Sequence, residues 1–322
     1  MKKRMFYTVD CFLIACLMIY TLLDTFVIAK EYQTVDAHVA SDTYTQETAS
    51  VDTSSRHGVK HRHESSDSDT VTSVNKASLD ETSYSDENIQ ITIEEYTYND
   101  TQVYVADVQL SSIDYLYAAF ADNVYGKNVT DETSTIAEEN GAILAINGDY
   151  YGARNSGYVL RNGTLYRDTV SSYDQEDLVI NTDGSFSIIT EGSVSAQEIA
   201  ASDVLQVYSF GPALIIDGAI SVTAEDEVGK AKASNPRTAI CEIEPLHYLL
   251  VVADGRTDES EGLSLYELAQ FLDENFDVTT AYNLDGGGSS TMVFNGQLVN
   301  NPTTSGNNIS ERSVSDAICI GY

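Results

Sequence analysis

Three times in this chain a strand-like run, continuous and apolar in the first two cases, ends in a turn that holds both a carboxylate and a glycine. Residues 142–146 deliver Asn147, Gly148 and Asp149; residues 248–253 deliver Asp254, Gly255 and Arg256; residues 279–284 deliver Asp285 and three glycines. Runs of this length without polar alternation read as strands buried on both faces. Strand ends converge at one rim of a sheet, where a rigid scaffold positions binding and catalytic loops, so the three turns are expected to build one cleft. Ordinary Asp–Gly turn chemistry is the bland alternative, and it explains one such turn more easily than three.

The last turn is the richest. Asp285 precedes Gly286, Gly287 and Gly288, and Ser289, Ser290 and Thr291 follow. Glycine admits positive φ and lets a ligand approach the backbone closely. Successive N–H groups in such a turn can form a concave anion site, with the hydroxyls as further donors. Asp285 would stand at its lip.

Around these turns the pattern is mostly strand. Residues 89–96 and 101–108 alternate with period two about Asn99-Asp100 and read as a hairpin. Residues 133–140 read as a short helix stopped by Gly141. Ser264 opens a clear helix that runs to about Asn275. The expected class is α+β, a strand-rich mixed sheet with two or three helices. This body spans 89–322. It is preceded by an apolar run within 1–30 and a Ser/Thr/Asp-rich stretch over 31–88 that lacks the apolar surface to offset chain entropy and reads as a disordered linker. Lys2, Lys3 and Arg4 before the apolar residues 5–29 read as a signal-anchor with a cytoplasmic N-terminus and the body outside the cell, in preference to a cleaved signal. His38, His57, His61 and His63 fall in the linker and read as solvated.

The net charge of −33 argues against nucleic acid, whose phosphates are bound by clustered Lys and Arg. In so acidic a chain the placement of Arg161, Arg237, Arg256 and Arg312 inside Gly-, Asn- or Asp-rich motifs is informative. His247 is the one histidine of the body and reads as structural, so acid–base chemistry falls to carboxylates. Asp149, Asp254 and Asp285 share the strand-end address. Glu267 is a fourth candidate, although Ser264-x-x-Glu267 also matches a capping box. Cys241 and Cys319 read as buried thiols, with one disulfide possible if their strands are neighbours. Tyr150, Tyr151, Tyr158 and Tyr282 flank the motif turns and suit a sugar. Together these residues describe a cleft for a polar, anionic small molecule.

Several motifs, taken in order, resemble the phosphodiester glycosidase family. They are Asn147-Gly148-Asp149-Tyr150-Tyr151, Gly211-Pro212-Ala213-Leu214, Pro236-Arg237-Thr238-Ala239, Asp254-Gly255-Arg256, the stretch 262–269, the stretch 283–290, Asn300-Asn301-Pro302 and Glu311-Arg312-Ser313-Val314. The resemblance covers roughly residues 100–322; Cys241 departs from the small residue usual there. It implies cleavage of the bond between a sugar C1 and a phosphate oxygen, on a glycosyl phosphodiester or cell-surface glycan such as an exopolysaccharide. On that reading Asp285 and Glu267 act at the sugar carbon. Arg237, Arg256 and the turn N–H groups hold phosphate, Asn147, Asp149 and Asn283 orient hydroxyls, and Arg312 belongs to the binding set. No cofactor is required by the sequence, though a divalent cation is possible. Two other classes stay open: a non-catalytic sugar- or wall-polymer-binding module, and a metal-assisted phosphodiesterase with Asp149, Asp254 and Asp285 around a cation.

Overall fold

The computed structural model describes residues 2–36, 78–226, 234–304 and 308–322. The run 248–253 explains itself first. Strand His247–Ala253 is flanked by Arg237–Glu244 and Thr101–Leu110, deep in a nine-stranded sheet, and both of its faces are covered. Tyr248, Leu250 and Val252 point into one hydrophobic cluster and Leu249, Val251 and Ala253 into another. A strand buried twice has no use for polar alternation. Nearer the edge, Ile89–Tyr98 has one wet face: Ile89, Ile91 and Ile93 are buried while Gln90, Thr92 and Glu94 are exposed. Asn99 and Asp100 turn the hairpin with φ of 45° and 55°, the positive values that a twist-matched two-residue turn requires.

The body is layered as helix, sheet, sheet, helix. Helix Leu265–Asn275 buries Leu265, Leu268, Ala269, Phe271 and Leu272 against the outer face of the large sheet. The inner face packs on a five-stranded sheet through Leu144, Ile146, Met292 and Ile318. Helix Thr133–Glu139 covers the far side of that sheet with Ile136 and Ala137 against Ala145, Ala317 and Cys319. A second five-stranded sheet, built on Val159–Arg161, Val204–Tyr208 and Glu176–Asn181, lends Leu178, Ile180 and Tyr208 to the central core. With helix Ala196–Ala200 this is the expected strand-rich α+β body, and its named strands pair antiparallel. Cys241 and Cys319 lie in different sheets as free, buried thiols. His247 Nε2 lies 2.9 Å from Asp107 Oδ1 on the neighbouring strand.

The N-terminal region meets the expectations only in part. The apolar run forms helix Lys2–Phe26, yet among the described residues no helix is long and apolar enough to cross a membrane. Nor is 31–88 a linker throughout. Strand Lys30–Thr34 pairs with Val124–Lys127, and Ser78–Leu79 and Ser83–Ser85 extend the edge of the large sheet. Few aliphatics are needed for this docking, because aromatic stacking and a close backbone approach replace them. Tyr32 packs on Tyr125 at 5.9 Å, and Gly126 admits the Lys30 carbonyl where a β-carbon would meet it at 2.4 Å. Asn128 Nδ2 donates to Thr25 O and Ile28 O at the end of the helix. Residues 37–77, with the four linker histidines, lie outside the described residues.

One buried ionic group joins the two smaller sheets. Arg161, on Val159–Arg161, is fully buried. Its Nη2 lies 3.0 Å from Asp149 Oδ1 and its Nε donates to Asp316 Oδ2 at 2.9 Å. The guanidinium also sits 3.9 Å from the centroid of the Tyr208 ring and donates to Val207 O. Burial opposes the charge, but Asp149 and Asp316 outweigh it and keep Arg161 protonated. Burial pushes Asp316 up to about 7 despite Arg161. Removing one member of such a group strands the others without water. Arg161→Met is therefore expected to cost about 3–5 kcal/mol in urea unfolding; an unchanged midpoint would show that the group is not structural.

Candidate functional site

Two rims meet at Asp285. Strand Thr280–Asn283 of the large sheet and strand Leu144–Asn147 of the smaller one both end here. Asn147 is the rivet: its Nδ2 donates to Asp285 O at 2.7 Å, while its Oδ1 accepts from Thr238 Oγ1 at 2.8 Å and Thr291 N at 3.2 Å. The convergence leaves a narrow cleft of about 40 Å³ lined by Asp149, Tyr150, Gly152, Asp285, Ser313 and Asn128 among others. Asp149 and Asp285 thus come together as the turn motifs suggested.

Asp285 differs from the other carboxylates in what it leaves uncommitted. Oδ2 accepts from Ser289 Oγ at 2.7 Å and pairs with Arg312 Nη2 at 2.8 Å. Oδ1 has no hydrogen-bond partner among the described residues, and the side chain keeps 14% exposure. Burial raises its pKa above the ordinary carboxylate range, and the Arg312 charge holds that rise in check. Arg312 also donates to Gly286 O and Ser289 Oγ, so it orients Asp285 as much as it neutralises it.

The glycine turn serves the backbone more than a ligand. Gly287, at φ 64°, donates its N–H to Pro236 O at 2.8 Å, and Ser289 N and Ser290 N bond back to Gly286 O and Gly287 O. A β-carbon on Gly286 would meet Pro236 O at 2.8 Å. Gly288 packs against Thr304 in the same way. The expected ring of donors for phosphate is therefore mostly spent, because the turn must close against strand Arg237–Glu244.

Other predicted residues sort by their partners. Arg237 is buried and donates Nε to Leu263 O at 2.7 Å. Arg256, at φ 63°, donates to Asn235 Oδ1 and Thr304 O and leans over Gly287; burial and the nearby Arg312 charge lower its pKa. Asn283 donates to Gly211 O at 2.8 Å, and its buried Oδ1 lacks a hydrogen-bond partner among the described residues. Asp149 is held by Arg161, Tyr151 N and Ser209 N. Asp254 is buried on Asn300 Nδ2 and Asn301 N, where it pins the 300–301 turn, and burial raises its pKa. Glu267 completes the capping box: Oε2 accepts from Ser264 N at 2.8 Å and Oε1 from Asn99 Nδ2 at 3.2 Å. The structure does not bring Asp254 or Glu267 to the Asp285 cleft. Among the described residues no group of three His, Cys, Asp or Glu side chains is close enough to hold a metal ion.

Sequence reasoning missed Asp316 and Ser209 behind Asp149, and Arg154 beside Tyr150. Asp316 opens an apolar strand as Asp254 closes one, which was a usable signal. Arg154 follows the Asn147–Tyr151 motif by only three residues, but nothing in its spacing distinguishes it from a surface arginine.

The chain is similar to several known proteins. A model of the family "phosphodiester glycosidase" matches residues 140–321. The SPbeta prophage-derived protein YomE of Bacillus subtilis (strain 168) is 26% identical over 205 residues, 62% of this chain and 31% of that one. Human N-acetylglucosamine-1-phosphodiester alpha-N-acetylglucosaminidase is 33% identical over 153 residues, covering 45% of this chain and 26% of the human one. The matches thus span about a third or less of these curated relatives. The catalytic domain of the zebrafish N-acetylglucosamine-1-phosphodiester alpha-N-acetylglucosaminidase shares the fold, with a TM-score of 0.57 at 20% identity over 79% of this chain and 85% of the other. A Synechocystis protein does so with a TM-score of 0.54 at 17% identity over 73% and 62%. With the family model covering more than half its length, this chain belongs to the phosphodiester glycosidase family.

Proposed function

We propose that this chain hydrolyses a glycosyl phosphodiester at the bond between the sugar C1 and the phosphate oxygen. The observation that carries the reading is Asp285, a carboxylate with one oxygen fixed by Arg312 and Ser289 and the other open to the cleft. Phosphate is a good leaving group, so protonating it matters less than in an ordinary glycosidase. The demanding step is the positive charge that develops at C1 and the water that attacks it. On this reading Oδ1 of Asp285 meets that charge or orients that water. Arg312 and Arg256, facing each other across the glycine turn, supply positive potential for the phosphate. Asp149 and Asn147 hold the cleft wall. Glu267, with both oxygens engaged at the helix start, keeps its capping role and is assigned no step.

A cell-surface or exopolysaccharide glycan as substrate, and attachment to a membrane through residues 5–29, complete the proposal. The exposed apolar side chains of the N-terminal helix, among them Phe12, Leu13, Leu17, Ile19 and Leu23, support a lipid contact. If so, the full chain stays with the membrane through a high-pH carbonate wash and a chain lacking residues 1–29 does not. Equal release of both would remove the anchor.

Activity is tested with an N-acetylglucosamine 1-phosphodiester, following free sugar with and without EDTA. Wild type is expected to release sugar in both conditions. Asp285→Asn should lower kcat by about 10²–10⁴-fold with the fold retained. The rate should fall on the acid side as Asp285 protonates, at a pH above the ordinary carboxylate range because burial outweighs Arg312. Full activity in Asp285→Asn would take Asp285 out of the chemistry. Loss of release in EDTA would favour a cation-assisted reaction, and tight glycan binding without turnover a binding module.

A further inference from the structure

The arginines near the cleft differ in how many donors they have left. Arg161 is locked between two carboxylates, and Arg167 spends itself on Gly157 O, Tyr151 O and Arg154 O. Arg312 is wrapped around Asp285 and Ser289. Arg154 stands apart. It is half-buried, and its side chain makes one hydrogen bond among the described residues, from Nη1 to Ser209 O at 3.1 Å. Its guanidinium carbon lies 5.1 Å from the Phe210 ring centroid and 5.9 Å from that of Tyr150. Nε and Nη2 therefore remain uncommitted on a planar cation that two rings hold in place.

That cation borders both open spaces of the region. Tyr150 and Ala153, its ring partner and chain neighbour, line the Asp285 cleft. Arg154 itself lines a second cavity of about 450 Å³ with Gln175, Glu176, Phe210 and the Gly211–Pro212 turn. The volume falls within the ~300–1,000 Å³ of small-molecule sites. The cavity wall is bonded to the strand that delivers Asp285: Phe210 N donates to Tyr282 Oη at 2.9 Å and Asn283 Nδ2 to Gly211 O at 2.8 Å. The loop that presents Arg154 is set by Arg167 on its carbonyl and by its own N–H on Tyr151 O at 3.1 Å. The Arg154 charge also reaches Asp285, whose pKa it lowers.

We propose that Arg154 binds the substrate phosphate between the Asp285 cleft and the 450 Å³ cavity, with C1 on the Asp285 side, and that the cavity receives the group esterified to that phosphate. Among the described residues lining it, Arg154 is the one cation, whereas Asp174, Glu176, Glu225 and Asp226 line it as carboxylates. The phosphate stops beside Arg154, and carboxylates accept hydrogen bonds from hydroxyls of the esterified group beyond it, with Phe210 as an apolar platform. A neutral or amino-bearing group fits that wall and a second anionic one does not. The assignment rests on the glycosyl phosphodiester reading for its ligand, and on the arginine geometry for its site.

Titration calorimetry of the full chain with N-acetylglucosamine 1-phosphate, and with N-acetylglucosamine alone, tests it apart from turnover. Arg154→Gln should weaken binding of the sugar phosphate by at least ~10-fold and leave binding of the free sugar unchanged, with the melting temperature retained. Should that variant fail to fold, Arg154→Lys keeps the charge without the planar fork and should weaken the sugar phosphate severalfold. Equal affinity of variant and wild type for the phosphate, or no phosphate-dependent affinity in wild type, would overturn the assignment. Arg154-dependent binding in a wild-type chain that releases no sugar from any phosphodiester would uphold this site and sink the proposed reaction instead.

Discussion

A guanidinium without access to water fixes the geometry on which the rest of the molecule depends. Arg161 reaches from one five-stranded sheet to Asp316 of the other and to Asp149 in the turn beyond it, and lies over the Tyr208 ring. Two acids share one base in the interior, an arrangement that is costly unless its members satisfy one another. The consequence is directional. Asp149 is turned inward toward Arg161, Tyr151 N and Ser209 N, so the Asn147–Tyr151 turn is held against the second sheet. With that turn fixed, Asn147 can grip the carbonyl of Asp285, and the two rims close on one cleft.

Charge is sorted by depth in this acidic chain. The deepest arginine is structural and Arg312 sets the orientation of a half-open carboxylate. Arg154, at the surface of a cavity, keeps donors in reserve. The carboxylates sort the same way: Asp254 is committed to a backbone turn, Glu267 to a helix start, and Asp285 alone of the three keeps an unpaired oxygen toward open space. Cleavage of a glycosyl phosphodiester at C1 calls for this combination of positive potential for phosphate and one carboxylate free to meet a cationic carbon.

The strands were legible where burial left a simple trace. Residues 248–253 are apolar without interruption because clusters lie on both sides, and Ile89–Tyr98 alternates because only one side is covered. Asp149 and Asp285 do meet, but from the ends of strands in two different sheets, a packing that no local pattern encodes. Glu267 shows another limit. The motif that resembles a family site and the motif of a capping box are the same four residues, and hydrogen bonds alone separate the two uses. The glycine turn misled for a related reason: its N–H groups suit an anion or a neighbouring strand equally, and here Pro236 took one. Strand Lys30–Thr34 was hidden in polar sequence because a close backbone approach at Gly126 and one aromatic contact replace a hydrophobic stripe. Arg154 was hidden because its value comes from Phe210, far along the chain, and from a cavity that no local pattern encodes.

Which bond breaks is the point on which this reading stands. Hydrolysis of an N-acetylglucosamine 1-phosphodiester in ¹⁸O-labelled water, with the phosphomonoester product read by mass spectrometry, separates attack at carbon from attack at phosphorus. Cleavage at C1 leaves the phosphate unlabelled and sends the water oxygen to the sugar, as the open Asp285 oxygen predicts. Label in the phosphate would mean attack at phosphorus, and Asp285 would no longer be the residue that meets the reacting carbon.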